Sequence, residues 1–224
     1  MAKFEELILS GKLAIGQKLP GERELAMQLG VSRPVVHEGL IDLQFKGLVS
    51  MKPRVGTVVN DYRKEGSLAL LNSLINYHEG QLSPEMLRST LDVRRVIETE
   101  TARLAALNRN DEQLAGFAEL LRREREVDRA DIERVADIDF AFHHAVAMAA
   151  DNLIYPLLLN TFKPFYTNLS ARFFADPGVV PAVYKFHEKL VAAIERQSER
   201  SAVRVMHRLL DHGESHLTSL FATE

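Results

Sequence analysis

Length, composition and charge are those of a soluble globular protein with one large or two modest domains. The chain has 224 residues, of which 46% are hydrophobic and 26% charged, and a formal net charge of −3. It contains no cysteine, which excludes a disulfide framework and a thiolate metal site. No apolar run approaches the roughly 18 residues of a membrane-spanning helix, and the first residues include acidic Glu5 and Glu6. We therefore expect a cytoplasmic protein that does not bind a membrane.

The charge is distributed unevenly along the chain. Residues 1–60 contain eight Lys/Arg and six Asp/Glu, a balance of +2 that leaves −5 for the remainder. This asymmetry is compatible with a slightly basic DNA-binding module joined to an acidic body.

The N-terminal segment is predicted to form three short helices, at residues 2–10, 22–29 and 32–46. Gly30 ends the second helix, because glycine adopts the left-handed conformation without a Cβ penalty. Ser32 is the expected N-cap of the third helix. Two short helices joined by such a tight turn are typical of a helix-turn-helix.

The third helix has an apolar stripe and polar residues at its N-terminal end. Val36, Leu40 and Leu43 recur at i, i+4 and i+7, which predicts a buried face. Arg33 and His37 lie four residues apart on one flank near the N-terminus of the helix. This combination is typical of a helix that reads DNA.

A β-hairpin follows the three helices. Two short strands are predicted at residues 49–52 and 57–59, around a turn that contains Pro53, Arg54 and Gly56. Three helices and a hairpin form a winged helix-turn-helix, and the tip of the wing carries a cation that suits phosphates or the minor groove.

The rest of the chain is predicted to be all-helical. Residues 1–60 would form the DNA-binding domain, residues 61–66 a polar linker, and residues 67–224 an α-helical bundle that binds an effector and dimerises. Gly80 is expected to separate the first two bundle helices. Segments with helical apolar spacing are Leu68–Tyr77, Pro84–Leu107, Asp111–Asp128, Asp131–Ala150, Leu153–Phe174, Val180–Arg196 and Glu199–Leu220.

Sequence motifs in both domains resemble a known family. From Gly11 to Val49 the pattern GKLxxGxxLPxERELAxxLGVSRxxVxExLxxLxxxGLV, with RVGTVV in the wing, resembles the winged helix of GntR-type bacterial transcription regulators. The bundle is similar to the ligand domain of the FadR branch in RRVIExxxAxLAA (94–106), DFAFHxAVA (139–147) and HxKLxAAI (187–194).

This resemblance implies a set of operator contacts in the N-terminal domain. His37 stands where many relatives have arginine, so we expect a weaker contact to a phosphate or a base there. Pro34 and Val35 replace positions that often bear hydroxyl groups. The implied contacts are Arg23, Ser32, Arg33, His37, Arg54 and Gly56.

A metal site is predicted in the bundle. Asp139 and His143 lie four residues apart on one helix face, and with His187 they offer a donor set that suits Zn²⁺, Mn²⁺ or Ni²⁺. Spacing alone favours a surface i, i+4 pair, and it is the family resemblance that supports a metal; a polar cluster without metal is the competing interpretation. Metal-binding relatives have a further histidine on the last helix. Leu209 occupies that place here, and His212, about one turn further on, is the expected substitute.

The effector site has two interpretations. Arg94 or Arg95 would clamp a carboxylate or phosphate if it faced inward, although either could equally belong to a solvated helix face. The segment 152–167, NLIYPLLLNxxKxxYT, looks closer to the acyl-CoA-responsive FadR proteins, which need no metal. Tyr166 and the neighbouring phenylalanines would then line an acyl tunnel rather than simply fill the core. The charged run 122–126 is expected to be a solvated face.

These features together predict a homodimeric, ligand-responsive transcription regulator, expected to act as a repressor on a double-stranded DNA operator. Its effector would be an organic acid bound through a metal. The alternative is a fatty acyl-CoA that needs no metal. A metal-dependent enzyme is a third hypothesis, but no general base or nucleophile stands beside the predicted ligands, so we expect no catalysis.

Overall fold

The computed structural model describes residues 2–77 and 83–221. The chain divides into two compact units, Met1–Gln81 and Leu82–Glu224. Gly80, the predicted break between two helices, lies outside the described residues. The fold is mainly α-helical with one two-stranded hairpin, as the sequence predicts.

The N-terminal unit is a winged helix-turn-helix, which confirms the predicted fold. Its hairpin is antiparallel, and Val49 pairs with Val59 while Lys52 pairs with Gly56. A bridge from Lys18 to Val58 adds a third, shorter segment to the sheet. The elements are α1 (Ala2–Leu9), α2 (Glu22–Leu29), α3 (Arg33–Phe45), β1 (Val49–Lys52), β2 (Gly56–Val59), α4 (Tyr62–Glu65) and α5 (Leu70–Tyr77).

The turn between α2 and α3 fixes the geometry of the helix-turn-helix. Gly30 adopts a φ of +64°, and its N–H donates to the carbonyl oxygen of Ala26. Val36, Leu40 and Leu43 of α3 are buried against Leu25 of α2, so the predicted stripe faces the core of this unit. The opposite side of α3 is left exposed.

The N-terminal unit extends further than the sequence suggests. Residues 61–66, predicted as a linker, contain α4, and α5 belongs to the core of this unit through buried Leu70. Ser67 anchors the connection, because its N–H donates to the carbonyl of Lys46 and its Oγ to that of Phe45. Apolar spacing predicted the helix at 70–77 correctly, but spacing does not specify against which core a helix packs.

The second unit is a bundle of six helices in the described part of the chain. Helix α6 packs against α8 and α11, and α8 also packs against α7 and α9, so α8 lies at the centre. No helix among the described residues is long and apolar enough to cross a bilayer. The helices are α6 (Pro84–Asn108), α7 (Asp111–Glu126), α8 (Ile132–Ala149), α9 (Ile154–Phe174), α10 (Val180–Glu195) and α11 (Glu199–Phe221).

Gly47, two residues after the end of α3, has no room for a side chain. Its φ is +78°, and a Cβ there would lie 2.0 Å from the carbonyl oxygen of Glu65. We expect Gly47→Ala to destabilise the N-terminal unit by about 3 kcal/mol or more. The backbone at Glu65 would have to move away from the new Cβ, and alanine at position 47 would also be strained in the left-handed conformation. Hydrogen exchange of amides in residues 2–77 measures this loss locally.

Gly11→Ala is the matched control. Gly11 has nearly the same φ, +73°, but nothing lies within 4 Å of its added Cβ. It should lose only about 1–2 kcal/mol, the cost of the left-handed conformation. Equal losses in the two variants would show that the contact with Glu65 contributes nothing.

Candidate metal centre and ligand cavity

Three predicted ligands meet in the interior of the helical unit. Asp139 and His143 come from one face of α8, and His187 comes from α10. All three are buried, and each offers a ligand atom within 4.8 Å of the others. Oδ1 of Asp139 lies 3.7 Å from Nε2 of His187 and 4.0 Å from Nε2 of His143.

Two buried glutamates contact the Nδ1 atoms of the two imidazoles, on the side away from Asp139. Oε2 of Glu98, on α6, lies 2.5 Å from Nδ1 of His143, and Oε2 of Glu124, on α7, lies 2.8 Å from Nδ1 of His187. Each Nδ1 therefore faces a carboxylate, and each Nε2 faces Asp139. Outer carboxylates orient the imidazole ligands of protein metal sites in the same way.

The role of Glu124 was not predicted from the sequence. The charged run 122–126 was expected to be solvated, and this is correct for Arg122, which pairs at the surface with Glu119 and Glu126. Glu124 is instead buried. It lies seven residues after buried Phe117, so helical periodicity was the available signal, and the surrounding charges concealed it.

A closed chain of contacts surrounds Asp139. The hydroxyl of Tyr166 donates to Oδ2 of Asp139 at 2.5 Å. The guanidinium of Arg94 stacks over the Tyr166 ring at 4.4 Å, and its Nε donates to Oε1 of Glu98 at 2.6 Å. Glu98 also contacts His143, which lies on α8 together with Asp139. The contacts therefore close into a ring in which each side chain positions its neighbours.

The net negative charge of this cluster favours binding of a cation. Asp139, Glu98 and Glu124 carry three negative charges, and Arg94 supplies one positive charge, so two remain uncompensated when the imidazoles are neutral. Burial opposes ionisation of Glu98, but Arg94 and His143 together lower its pKa to about 2. Burial likewise opposes the charged form of His143, yet the adjacent Glu98 raises its pKa.

These residues fit a divalent metal. Nε2 of His187 is buried and has no hydrogen-bond partner among the residues that the structure describes. A ligand atom in this state is costly unless something binds it. Two oriented imidazoles and a carboxylate are a donor set that suits Zn²⁺, Mn²⁺ or Ni²⁺.

His212 does not join the group. Its ring contacts Phe173 and Phe186 instead. Leu209, one turn earlier on α11, lines the cavity beside the cluster and occupies the side of the helix from which a fourth ligand would come. Three residues along a helix rotate a side chain by about 300°, so His212 lies on a neighbouring stripe of α11.

A small cavity adjoins the cluster between α6, α9, α10 and α11. Its free volume is about 40 Å³, enough for about three water molecules. Asp139 and His143 form one wall. The apolar lining consists of Leu91, Leu169, Phe173, Val183, Leu209, Leu210 and Leu217.

The predicted effector residues take different positions around this cavity. Arg94 and Arg95 both line it, but both are already paired. Arg94 binds Glu98, and Arg95 lies 2.7 Å from Asp211 and 2.5 Å from Glu214 on α11. Tyr166 faces a separate apolar recess between α6 and α9 and reaches the cluster only through its hydroxyl.

In the N-terminal unit the predicted DNA contacts lie at the surface of α2, α3 and the wing. Within residues 2–77, Arg23, Arg33 and Arg54 form no ion pair, so their guanidinium groups are available for phosphates or bases. Ser32 makes no side-chain cap hydrogen bond to α3. Gly56 adopts a φ of +101° at the wing. His37 differs from the arginines, because Glu22 binds it.

Comparison with known proteins identifies the family. Residues 1–59 match the model of bacterial regulatory proteins, gntR family, and residues 60–217 match that of the FadR C-terminal domain. The chain therefore belongs to the GntR family and carries a FadR C-terminal domain. It is a DNA-binding transcription regulator controlled by an effector.

Individual relatives agree with this assignment. The chain is 31% identical over 191 residues to the fatty acid metabolism regulator protein of Klebsiella pneumoniae (strain 342), covering 85% of this chain and 77% of the relative. A protein of the same name from Salmonella paratyphi B is 29% identical over 204 residues, covering 91% and 82%. The solved structure of E. coli McbR/YncC shares the fold, with a TM-score of 0.59 and 17% identity over 98% of this chain and 95% of that one.

Replacement of Glu98 tests the buried ion cluster. Glu98→Gln leaves the buried Arg94 without its counter-charge, so we expect a loss of about 3–5 kcal/mol in the free energy of unfolding at pH 7. The folded pKa of Glu98 lies below the unfolded value, so its contribution is present above about pH 4 and disappears as the pH falls towards about 2. Urea unfolding at several pH values, followed by circular dichroism, should show the two proteins converging in acid.

Glu100→Gln is the control on the same helix. Glu100 is partly exposed and pairs with Arg103, so this change removes the same charge at a cost of about 1 kcal/mol or less. If Glu98→Gln were no more destabilising than Glu100→Gln, the buried cluster would not contribute to stability.

Proposed function

We propose that this regulator acts in the cytoplasm as a homodimeric repressor whose helical unit binds a divalent metal and, beside it, a small carboxylate effector. Asp139, His143 and His187 would hold the metal. The observation that carries this proposal is the pair of buried glutamates, which turn both Nε2 atoms towards Asp139.

The bound metal would act as a Lewis acid that accepts a carboxylate oxygen of the effector. The residues of the chain perform the remaining tasks. Glu98 and Glu124 orient the imidazoles, and Tyr166 holds the second oxygen of Asp139. The small and mostly apolar cavity selects a compact ligand.

Two considerations favour an anion at the metal rather than at an arginine. Arg94 and Arg95 are both neutralised by carboxylates within the unit. The cluster itself carries excess negative charge, so an anionic ligand would be repelled without the metal.

The effector releases DNA only if it binds the DNA-free arrangement of the protein more tightly.

In the N-terminal unit we propose that α3 enters the major groove and that the wing lies along the backbone. Arg23, Ser32, Arg33, His37, Arg54 and Gly56 would contact the operator. Their exposure, together with the absence of ion pairs on the three arginines within residues 2–77, supports this assignment.

A fatty acyl-CoA is the second candidate effector, and the names of the relatives favour it. The apolar lining of the cavity and the recess beside Phe162 and Phe165 would suit an acyl chain. Such a chain requires the helices to separate, because the present cavity holds only about three water molecules. The contacts of Arg95 with Asp211 and Glu214 would have to open as well. Control of genes of fatty acid metabolism is compatible with either effector.

Metal analysis and native mass spectrometry of the purified full-length protein distinguish the two candidates. We expect about one metal ion per chain, lost in His187→Ala and retained in His212→Ala, because His187 lies in the cluster and His212 does not. A co-purified acyl-CoA in a metal-free protein would reject the metal-based proposal and support the second candidate.

Metal binding should depend on pH. The raised pKa of His143 means that metal binding releases a proton from this imidazole. The apparent affinity for Zn²⁺ should therefore be higher at pH 8 than at pH 6, and titration calorimetry in buffers of different ionisation enthalpy should detect the released proton. An affinity that does not change with pH would exclude displacement of a proton from His143.

Replacement of Arg33 tests the recognition helix. Arg33→Ala should weaken binding to a DNA site selected from a random pool by about 1–3 kcal/mol if the arginine reads guanine. If it contacts phosphate, the slope of log K against log salt should fall by about one. Arg63→Ala, an exposed arginine on α4, is the control and should leave binding nearly unchanged. Fluorescence anisotropy at several salt concentrations measures both quantities, and unchanged values for Arg33→Ala would reject the assignment.

A further inference from the structure

His37, near the leading end of α3, is bound by α2. Its Nδ1 lies 2.7 Å from Oε1 of Glu22, the first residue of α2. The side chains are 52% and 34% exposed, so the pair lies at the surface rather than in the core. Nε2 of His37 makes no hydrogen bond within residues 2–77.

This contact determines which nitrogen carries the proton. A carboxylate only accepts hydrogen bonds, so Nδ1 of His37 must donate to Glu22. In a neutral imidazole, Nε2 then has a lone pair and no proton. Glu22 thereby fixes both the orientation of the ring and its tautomer, and the outer edge of His37 becomes a hydrogen-bond acceptor.

An acceptor at this position restricts what the helix can read. Phosphate oxygens are themselves acceptors, so this edge does not bind the DNA backbone directly. Guanine also presents acceptors in the major groove, whereas the amino groups at N6 of adenine and N4 of cytosine are donors. An arginine in the place of His37 would have the opposite preference, because it only donates.

We propose that Glu22 and His37 form a specificity pair that reads adenine or cytosine in each operator half-site. His37 is the contacting residue, and Glu22 is the positioning residue. The inference rests on the proposed placement of α3 in the major groove, and it does not depend on the metal or the effector. Failure of that placement would appear in Arg33→Ala, whereas failure of the pair would appear only in the base preference at one position.

The test is a comparison of base preferences. The full-length protein, at about pH 8, selects sites from double-stranded DNA with a randomised core of roughly 20 base pairs, which spans two half-sites. Dissociation constants are then measured by anisotropy for the selected site and for its single base-pair substitutions. The position read by residue 37 is the one at which His37→Arg changes the preference.

At that position the wild type should prefer adenine or cytosine by roughly tenfold, and His37→Arg should prefer guanine. Glu22→Ala should reduce this discrimination to below about threefold and leave the other positions unchanged, because the ring loses its fixed tautomer. Glu22→Gln should also weaken the discrimination, since its amide group can donate to Nδ1 as well as accept from it and therefore does not fix one tautomer.

Glu24→Ala is the matched control. Glu24 lies on the same helix and, within residues 2–77, is bound only by Gln28, so its loss removes an equal charge without touching His37. It should strengthen binding to all sequences alike. A wild-type preference for guanine at the position of residue 37, or unchanged discrimination in Glu22→Ala, would overturn the proposal.

Discussion

The helical unit depends on the compensation of buried charge around Glu98. Three carboxylates lie in its interior against a single arginine, and four helices contribute members of the cluster. A buried charge without a partner costs several kcal/mol, so these helices are held in the arrangement that keeps every carboxylate in contact with a cation or a donor. Packing of the surrounding leucines alone would tolerate small shifts that this network does not.

This requirement also explains why the cluster suits a ligand-controlled protein. When the imidazoles are neutral, two negative charges remain, and either protons or a divalent cation can balance them. The occupant of the site therefore changes the electrostatic energy of α6, α7, α8 and α10 together. The N-terminal unit follows the opposite rule, since Arg23, Arg33 and Arg54 have no counter-charge within residues 2–77 and are available to DNA. Buried Arg94 is paired, whereas the arginines proposed to contact DNA are not.

The sequence predicted the parts of the fold that depend on local rules. The helix ends and the hairpin follow from caps, glycines and apolar period, and the described boundaries agree with the predicted ones to within about two residues. The sequence did not predict that α5 packs with the winged helix, because the period of α5 does not reveal that Leu70 joins that core. The triad of Asp139, His143 and His187 required both i, i+4 spacing and the family resemblance.

The remaining parts of the site depend on which face of each helix points into the bundle. His212 was expected to replace the missing ligand because it is close to Leu209 along the chain, but α11 presents it to Phe173. Glu124 was assigned to solvent because its neighbours are charged. Membership in the family establishes a regulator and its fold, whereas the effector is decided by a few side chains in one cavity. In the proposed site those side chains are two imidazoles, each held by its own glutamate, and the names of the relatives carry no information about them.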